Sequence, residues 1–177
     1  MIGLVQYIVH KIEDYIISTS LTTAQIIELV TYSTSDPILA KWTSDTSRFS
    51  SEEATIAWLQ TNPEYIVLTD HQGSLLGIAW LQSTAIPENS KHTLKEEEAL
   101  KYIKTSAIRL YGSARGKGLG VCFYTQLFKR FPSPHVWAKI SDDNTASKHL
   151  HEKLGFMQVS KPDNYNKIIL VRDERNN

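Results

Sequence analysis

The residues of this chain that could do chemistry gather at a run of glycines. In Ala107-Ile-Arg-Leu-Tyr-Gly-Ser-Ala-Arg-Gly-Lys-Gly-Leu-Gly-Val121 a segment with strand character, carried by Ile108, Leu110 and Tyr111, runs into Gly116, Gly118 and Gly120. A helical pattern follows at once. Leu119, Phe123 and Leu127 fall on one line, and Val121, Tyr124, Phe128 and Phe131 on the next. A strand that turns through glycines into a helix N-terminus can bind a phosphate. Glycine lets the backbone approach a ligand and take dihedrals closed to other residues. The unpaired N–H groups and the positive end of the helix dipole then favour an anion. Two phosphate loops do not fit. The nucleotide P-loop needs four residues between its first glycine and Gly-Lys, followed by Ser or Thr. Here three residues separate Gly112 from Gly116, and Gly118 stands where that hydroxyl belongs. The dinucleotide fingerprint, Gly-x-Gly-x-x-Gly, opens a βαβ unit. Here the spacing is Gly-x-Gly-x-Gly, well along the chain.

Arg115-Gly-Lys-Gly-Leu-Gly120 does match Arg/Gln-x-x-Gly-x-Gly/Ala, and so resembles the acyl-CoA pyrophosphate loop of the GNAT N-acetyltransferase superfamily. Downstream, the strand-like His135-Val-Trp-Ala-Lys-Ile-Ser141 leads into Asp142-Asp-Asn-Thr-Ala-Ser-Lys-His-Leu-His-Glu-Lys-Leu-Gly-Phe156. That segment resembles the superfamily's next block, with Asn144, Ser147, Leu150, Glu152, Lys153, Leu154, Gly155 and Phe156 in register. The two blocks occur in the right order and separation. Together the resemblance covers roughly residues 100 to 171, and the first hundred residues show only a compatible order of elements.

The resemblance implies acetyl transfer from acetyl-CoA to a primary amine, on a small molecule or a protein, through a tetrahedral intermediate. It implies a GNAT-like acyl-CoA N-acyltransferase fold of mixed α/β class. In that fold a central, mixed, mostly antiparallel twisted sheet is flanked by helices, and two parallel strands near its middle splay to admit the acyl-CoA arm. Here those strands would be 102–111 and 135–141. Backbone N–H groups of Arg115, Gly116, Lys117, Gly118, Leu119 and Gly120 would hold the pyrophosphate, with Arg115 and Lys117 able to add charge. An amide near Leu110 or Tyr111 would take the thioester oxygen. Asn144, Ser147 and His151 share one helix face, which in the resemblance looks at the pantetheine arm. The family's usual proton donor to the leaving thiolate is a Tyr at the position of His151. An imidazolium can serve as the acid; otherwise His151 packs and water reprotonates the thiolate. No carboxylate lies between Tyr102 and Tyr111 to act as base, so Asp142, Asp143 and residues of the 32–50 segment remain candidates. Asp142 and Asp143 at a helix start also read as caps. The acceptor side of that fold would offer Trp42, Phe49, Trp80 and the 84–98 insertion. Two other readings stand beside the enzyme: a non-catalytic acyl-CoA-binding module and a nucleotide-binding protein.

Composition bounds these readings. A chain of 177 residues suits one domain, spanning 1–177. Lys+Arg and Asp+Glu both number 19, so no global field draws in nucleic acid or an anionic membrane, and neither is expected as a partner. A homodimer is allowed. The single cysteine, Cys122, excludes an intramolecular disulfide and suggests a reducing cytoplasm. Inside a helical pattern it reads as a small core residue. No metal is expected.

The elements needed to position the site follow from pattern. Leu4–Val9 and Tyr15–Thr19 form a plausible hairpin. Thr22 or Thr23 caps a helix through Ala24 to Thr31, and residues 32–50 read as loop with at most a short helix. Ser50-Ser-Glu-Glu53 opens a helix that Asn62-Pro63 stops. Tyr65–Thr69 and Leu75–Leu81 are strands around the turn Asp70–Gly73. A short acidic helix near Thr93–Leu100 precedes strand 101–111. Helix 119–131, strand 135–141, helix 145–154 and a closing hairpin, Phe156–Ser160 with Tyr165–Val171, complete the order.

Overall fold

A computed structural model describes residues 14–43, 47–88 and 93–173. The expected strand Leu4–Val9 and the polar tail beyond Asp173 lie outside these residues. The described elements run β1 (Ile16–Ser18), α1 (Thr23–Ser35), α2 (Pro37–Trp42), a 3-10 turn (Ser47–Phe49), α3 (Glu52–Gln60), β2 (Glu64–Thr69) and β3 (Leu75–Ser83). Then come α4 (Glu96–Ala99), β4 (Lys104–Leu110), a second 3-10 turn (Gly112–Ala114), α5 (Leu119–Arg130), β5 (His135–Ser141), α6 (Thr145–Lys153), β6 (Met157–Gln158) and β7 (Lys167–Asp173). The class is mixed α/β. The strands form one mostly antiparallel sheet in the order β1-β2-β3-β4-β5-β7-β6, with β4 and β5 parallel.

By packing, the chain makes two compact units. One runs to Trp80 and resumes over Ile108–Leu127; the other covers Leu81–Ala107 and resumes at Phe128.

In the first unit α1 opens with a reciprocal cap. Thr22 Oγ1 accepts from Gln25 N at 3.2 Å, and Gln25 Oε1 accepts from Thr22 N at 2.9 Å. The helix runs on to Ser35, past the expected end at Thr31. The reason is local: the hydroxyls of Thr31, Thr34 and Ser35 donate to carbonyls one turn back, at 2.8, 2.9 and 2.6 Å, so they do not compete for the helix backbone. Residues 32–35 and 37–42 are therefore helical rather than loop. Asp36-Pro37 starts α2, with Asp36 as N-cap and proline at the first helical position, where its missing N–H costs nothing. Ser51 caps α3 by accepting from Ala54 N at 3.1 Å.

The β2–β3 turn is held by Asp70, whose carboxylate accepts from Gln72 N and Ser74 N, while Gly73 supplies φ 86°. Leu75 to Leu81 is buried throughout, the pattern of a strand covered on both faces. Gly77 is the tight point of β3. A Cβ there would lie 2.8 Å from Arg109 O and 2.7 Å from Leu110 Cδ2 on the neighbouring β4. Phe49, Trp58 and Trp80 meet edge-to-face at centroid separations of 5.1 to 5.9 Å.

In the second unit β5 pairs antiparallel with β7 from His135↔Asp173 to Ser141↔Lys167, and β6 covers the far edge of β7. The parallel register of β4 with β5 is a single pair, Thr105↔Trp137. The segment between β3 and β4 is stitched at its neck by Thr84 N→Ile103 O (2.8 Å) and Ile86 N→Tyr102 O (2.9 Å). It folds onto the strands through a core of Ile86, Ala99, Tyr102, Trp137, Val159, Ile169 and Val171. Trp137 Nε1 donates to Thr84 O at 2.7 Å. No helix among the described residues is long and apolar enough to cross a membrane.

Candidate functional site

The glycine turn lies in the first unit. Tyr111 closes β4 with N–H→Leu76 O at 2.9 Å. Ala114 N→Tyr111 O (3.0 Å) and Arg115 N→Gly112 O (3.2 Å) then tighten the chain into the second 3-10 turn. Gly112, Gly116 and Gly118 take φ of 39°, 73° and 71°, a region open to glycine and costly for other residues. Gly116, Lys117 and Gly118 are exposed, and a Cβ built on Gly116 meets no atom within 4 Å. Helix α5 begins at Leu119, so the N–H groups of Leu119 and Gly120 have no intrahelical acceptor. An open, left-handed glycine turn that ends on a helix N-terminus fits a diphosphate. Residues 110 to 120 run continuously from the end of β4 through this turn into the first residues of α5.

Two details change their roles. Tyr111 N–H is committed to Leu76, and successive strand N–H groups point to opposite edges. The amide facing away from β3 is therefore that of Leu110. The Arg115 guanidinium is held by Asp36, Nη1 to Oδ1 at 3.1 Å and Nη2 to Oδ2 at 2.6 Å. Its N–H is already bonded to Gly112. Arg115 thus braces the turn against the α1–α2 junction. The guanidinium holds the Asp36 carboxyl below the usual carboxylate range; partial burial opposes this, and the N–H groups of Ile38 and Leu39 add to it.

The second group lies on α6 in the second unit. Its N-cap is Asn144, whose side chain accepts from Ser147 N at 3.1 Å. Asp142 and Asp143 are not the caps. Asp142 pairs with Lys148, and Asp143 accepts from Asn166 Nδ2 at 3.1 Å. His151, one turn after Ser147, is 2% exposed and meets Phe156 edge-to-face at 4.9 Å. Its Nδ1 lies 2.7 Å from Ser147 O and 3.4 Å from Ser147 Oγ. A carbonyl only accepts, so Nδ1 carries the proton. Burial pushes the His151 pKa down, against a smaller opposing effect of the Ser147 carbonyl. The ring is neutral at neutral pH, with its lone pair on Nε2. His149 is exposed, and the Cys122 thiol is buried and in no disulfide. Among the described residues, no group of three His, Cys, Asp or Glu could hold a metal ion.

Of the aromatics expected near an acceptor, Phe49 and Trp80 are buried in the first unit and Trp42 is half-buried. Arg109 escaped sequence reasoning. It is 6% exposed, and the available signal was a cation in an otherwise apolar strand.

A sequence profile of the Acetyltransferase (GNAT) family matches residues 33–156, which span both motif blocks. The chain belongs to the GNAT acetyltransferase family. No curated protein matches its sequence. Among solved structures, it is similar to a GNAT phosphinothricin acetyltransferase from Sinorhizobium meliloti in complex with AcCoA, at TM-score 0.66 and 18% identity over 90% of this chain and 88% of that one. It is also similar to an N-acetyltransferase from Staphylococcus aureus Mu50, at TM-score 0.65 and 19% identity, covering 90% and 98%. A ribosomal-protein-S5-alanine acetyltransferase from Vibrio fischeri follows at 0.64 and 14%, covering 91% and 93%. At these identities the likeness is one of fold, and that fold is the GNAT acyl-CoA N-acyltransferase fold. GNAT membership makes the chain one of a family of acyltransferases.

Proposed function

We propose that this GNAT protein is an acetyl-CoA-dependent N-acetyltransferase, with the whole chain serving as one catalytic domain and a primary amine as acceptor. The observation that carries the reading is the exposed glycine turn at Gly116–Gly118 ending on the α5 N-terminus, one short turn after the Leu110 amide. Its N–H groups and helix dipole suit the donor's pyrophosphate. Asn144 and Ser147 are proposed to follow the pantetheine arm. In the reaction a neutral amine attacks the thioester carbon and a C–N bond forms. The Leu110 N–H donates to the developing oxyanion. The intermediate collapses with C–S cleavage, and the proton leaving nitrogen must reach the thiolate.

His151 is proposed to carry that proton. A ring held neutral by burial first accepts at Nε2 and then gives the proton to the thiolate, whose own charge raises the imidazolium pKa while the transfer lasts. A second reading, an acyl-CoA-binding module without turnover, is favoured by one observation: β4 offers no carboxylate, and Asp142 and Asp143 are engaged elsewhere. Calorimetric titration with acetyl-CoA, CoA, ATP and NAD tests donor recognition. Thiol release with a panel of amines then separates enzyme from module. Binding of ATP or NAD in place of both CoA species would overturn the reading.

A further inference from the structure

Ser33 stands apart from the hydroxyls around it on α1. Thr31, Thr34 and Ser35 donate to carbonyls of their own helix, the usual course for such side chains inside a helix. Ser33 sends its oxygen across to β4 instead. There it accepts from Arg109 Nη1 at 3.2 Å and lies 3.4 Å from the Tyr111 hydroxyl. A serine oxygen has a lone pair for the first bond and a proton or second lone pair for the other. Arg109 and Tyr111 flank Leu110 on extended backbone, so their side chains share one face. One hydroxyl therefore ties together both neighbours of the amide that the mechanism above assigns to the oxyanion.

The surroundings stiffen this tie. Tyr32, the residue before Ser33, meets the Tyr111 ring at 5.2 Å. Asp36, one turn later, holds Arg115. The end of α1 thus engages residues on both sides of Leu110. The Arg109 guanidinium is also steadied over the Phe49 ring at 4.9 Å and the Trp80 ring at 5.6 Å. Tyr111 is 1% exposed, and burial pushes its pKa up against smaller effects of Arg109 and Ser33, so the hydroxyl keeps its proton. The peptide that joins Arg109 to Leu110 backs onto β3, where a Cβ on Gly77 would lie 2.8 Å from Arg109 O. A trans peptide sets its N–H opposite its C=O, so the Leu110 N–H looks away from β3. A tilt of that plane swings the N–H, and a catalytic donor works only within about 0.5 Å of its productive position.

We infer that Ser33 is a positioning residue for acetyl transfer: its hydroxyl, bonded to both neighbours of Leu110, fixes the plane of the Arg109–Leu110 peptide so that the Leu110 N–H meets the thioester oxygen. The inference rests on the acetyltransferase reading and adds to it a residue of α1 that acts through the backbone of β4.

The test reads the thioester carbonyl itself. Acetyl-CoA enriched with the heavy carbon isotope at the acetyl carbonyl is bound to the wild type, Ser33→Ala, Ser33→Thr and Tyr111→Phe. Carbon NMR records the carbonyl resonance, and calorimetry the affinity. A hydrogen bond to the oxygen draws electrons from the carbon and moves its resonance downfield, so the wild-type complex should lie downfield of free acetyl-CoA. Ser33→Ala should return the resonance toward the free value with affinity unchanged. Alanine is the better helix former, so α1 persists in that variant. Ser33→Thr keeps the hydroxyl and should restore the wild-type resonance, whereas a merely structural role would leave the resonance alone. Tyr111→Phe keeps the ring against Tyr32, removes one arm of the tie and should fall between; if Ser33→Ala does not fold, Tyr111→Phe carries the test. With whichever amine reacts, single-turnover transfer in Ser33→Ala should slow by about tenfold, short of the roughly 10²–10³ lost with an oxyanion donor itself; if none reacts, the resonance alone decides. The inference is overturned if Ser33→Ala keeps the wild-type resonance or rate, or if Ser33→Thr fails to restore them. Those results leave the acetyltransferase reading standing. A wild-type complex whose resonance matches free acetyl-CoA removes the Leu110 amide from the mechanism and this inference with it. Failure of the wild type to bind acetyl-CoA is a distinct result that removes the whole reading.

Discussion

The Arg115–Asp36 pair separates two accounts of the glycine turn. In one, Arg115 is a direct ligand of the pyrophosphate. In the other, which the geometry supports, it braces the turn through both carboxylate oxygens of Asp36, at 3.1 and 2.6 Å. The two side chains are 25% and 13% exposed. Exposed pairs contribute up to about 1 kcal/mol and breaking fully buried ones costs about 3–5 kcal/mol, so a forked, partly buried pair should couple by about 1–2 kcal/mol. The assay is urea unfolding of the wild type, Arg115→Ala, Asp36→Asn and the double variant. Asn is as good an N-cap as Asp, so Asp36→Asn leaves α2 capped and isolates the charge. Strictly additive losses would refute the brace. Affinity for acetyl-CoA adds a second readout. A brace predicts that both single variants weaken binding by similar factors. A pyrophosphate ligand predicts that Asp36→Asn, by releasing the guanidinium, tightens it. Acid adds a third. The folded pKa of Asp36 lies below its unfolded value of about 3.9, so the pair's contribution is complete above that pH and is lost as pH falls through the folded value. Asp36→Asn should flatten that part of the acid limb.

Further outcomes follow from two other sites. His151→Phe should lower kcat by about 10²–10⁴ if the ring carries the proton, with acetyl-CoA affinity nearly unchanged; equal rates would remove His151 from the mechanism. The same residue sets a pH signature. Its folded pKa is lowered, so the unfolded chain binds a proton that the folded chain refuses, and stability should fall below about pH 6.5 by up to about 1.4 kcal/mol per pH unit. His151→Phe should lack that slope, and parallel curves would contradict the burial argument. Gly77→Ala would drive a Cβ against Arg109 O and Leu110 Cδ2. It should cost about 1–3 kcal/mol and lower the thermal midpoint by roughly 3–10 °C; an unchanged midpoint would show that β3 and β4 can part there.

What could be read from sequence was set by range. The Thr22 cap, the Asp70–Gly73 turn and the glycine turn are legible because each is decided by residues within a few positions of one another. The same locality misled at Asp36-Pro37, where a helix start resembles a loop, and at Asp142-Asp143, where the cap is the following Asn144. The Arg109–Ser33 and Arg115–Asp36 contacts span 76 and 79 residues. No local pattern announces such pairings, since they exist only once α1 and β4 are placed side by side. The burial that lowers the His151 pKa likewise comes from packing against Phe156 and its neighbours, not from helix spacing.

The measurement closest to the central claim is thermal unfolding of the wild type and Gly118→Glu with and without acetyl-CoA. Gly118 sits at φ 71°, so a side chain there strains the turn and this one also places a carboxylate where the pyrophosphate should lie. Acetyl-CoA at about 100 times its Kd should add about 2.7 kcal/mol, raising the wild-type midpoint by roughly 5–10 °C, and should leave the variant where it was. A wild-type protein that ignores acetyl-CoA, or a variant stabilised as fully as the wild type, would contradict the placement of the donor site in this turn.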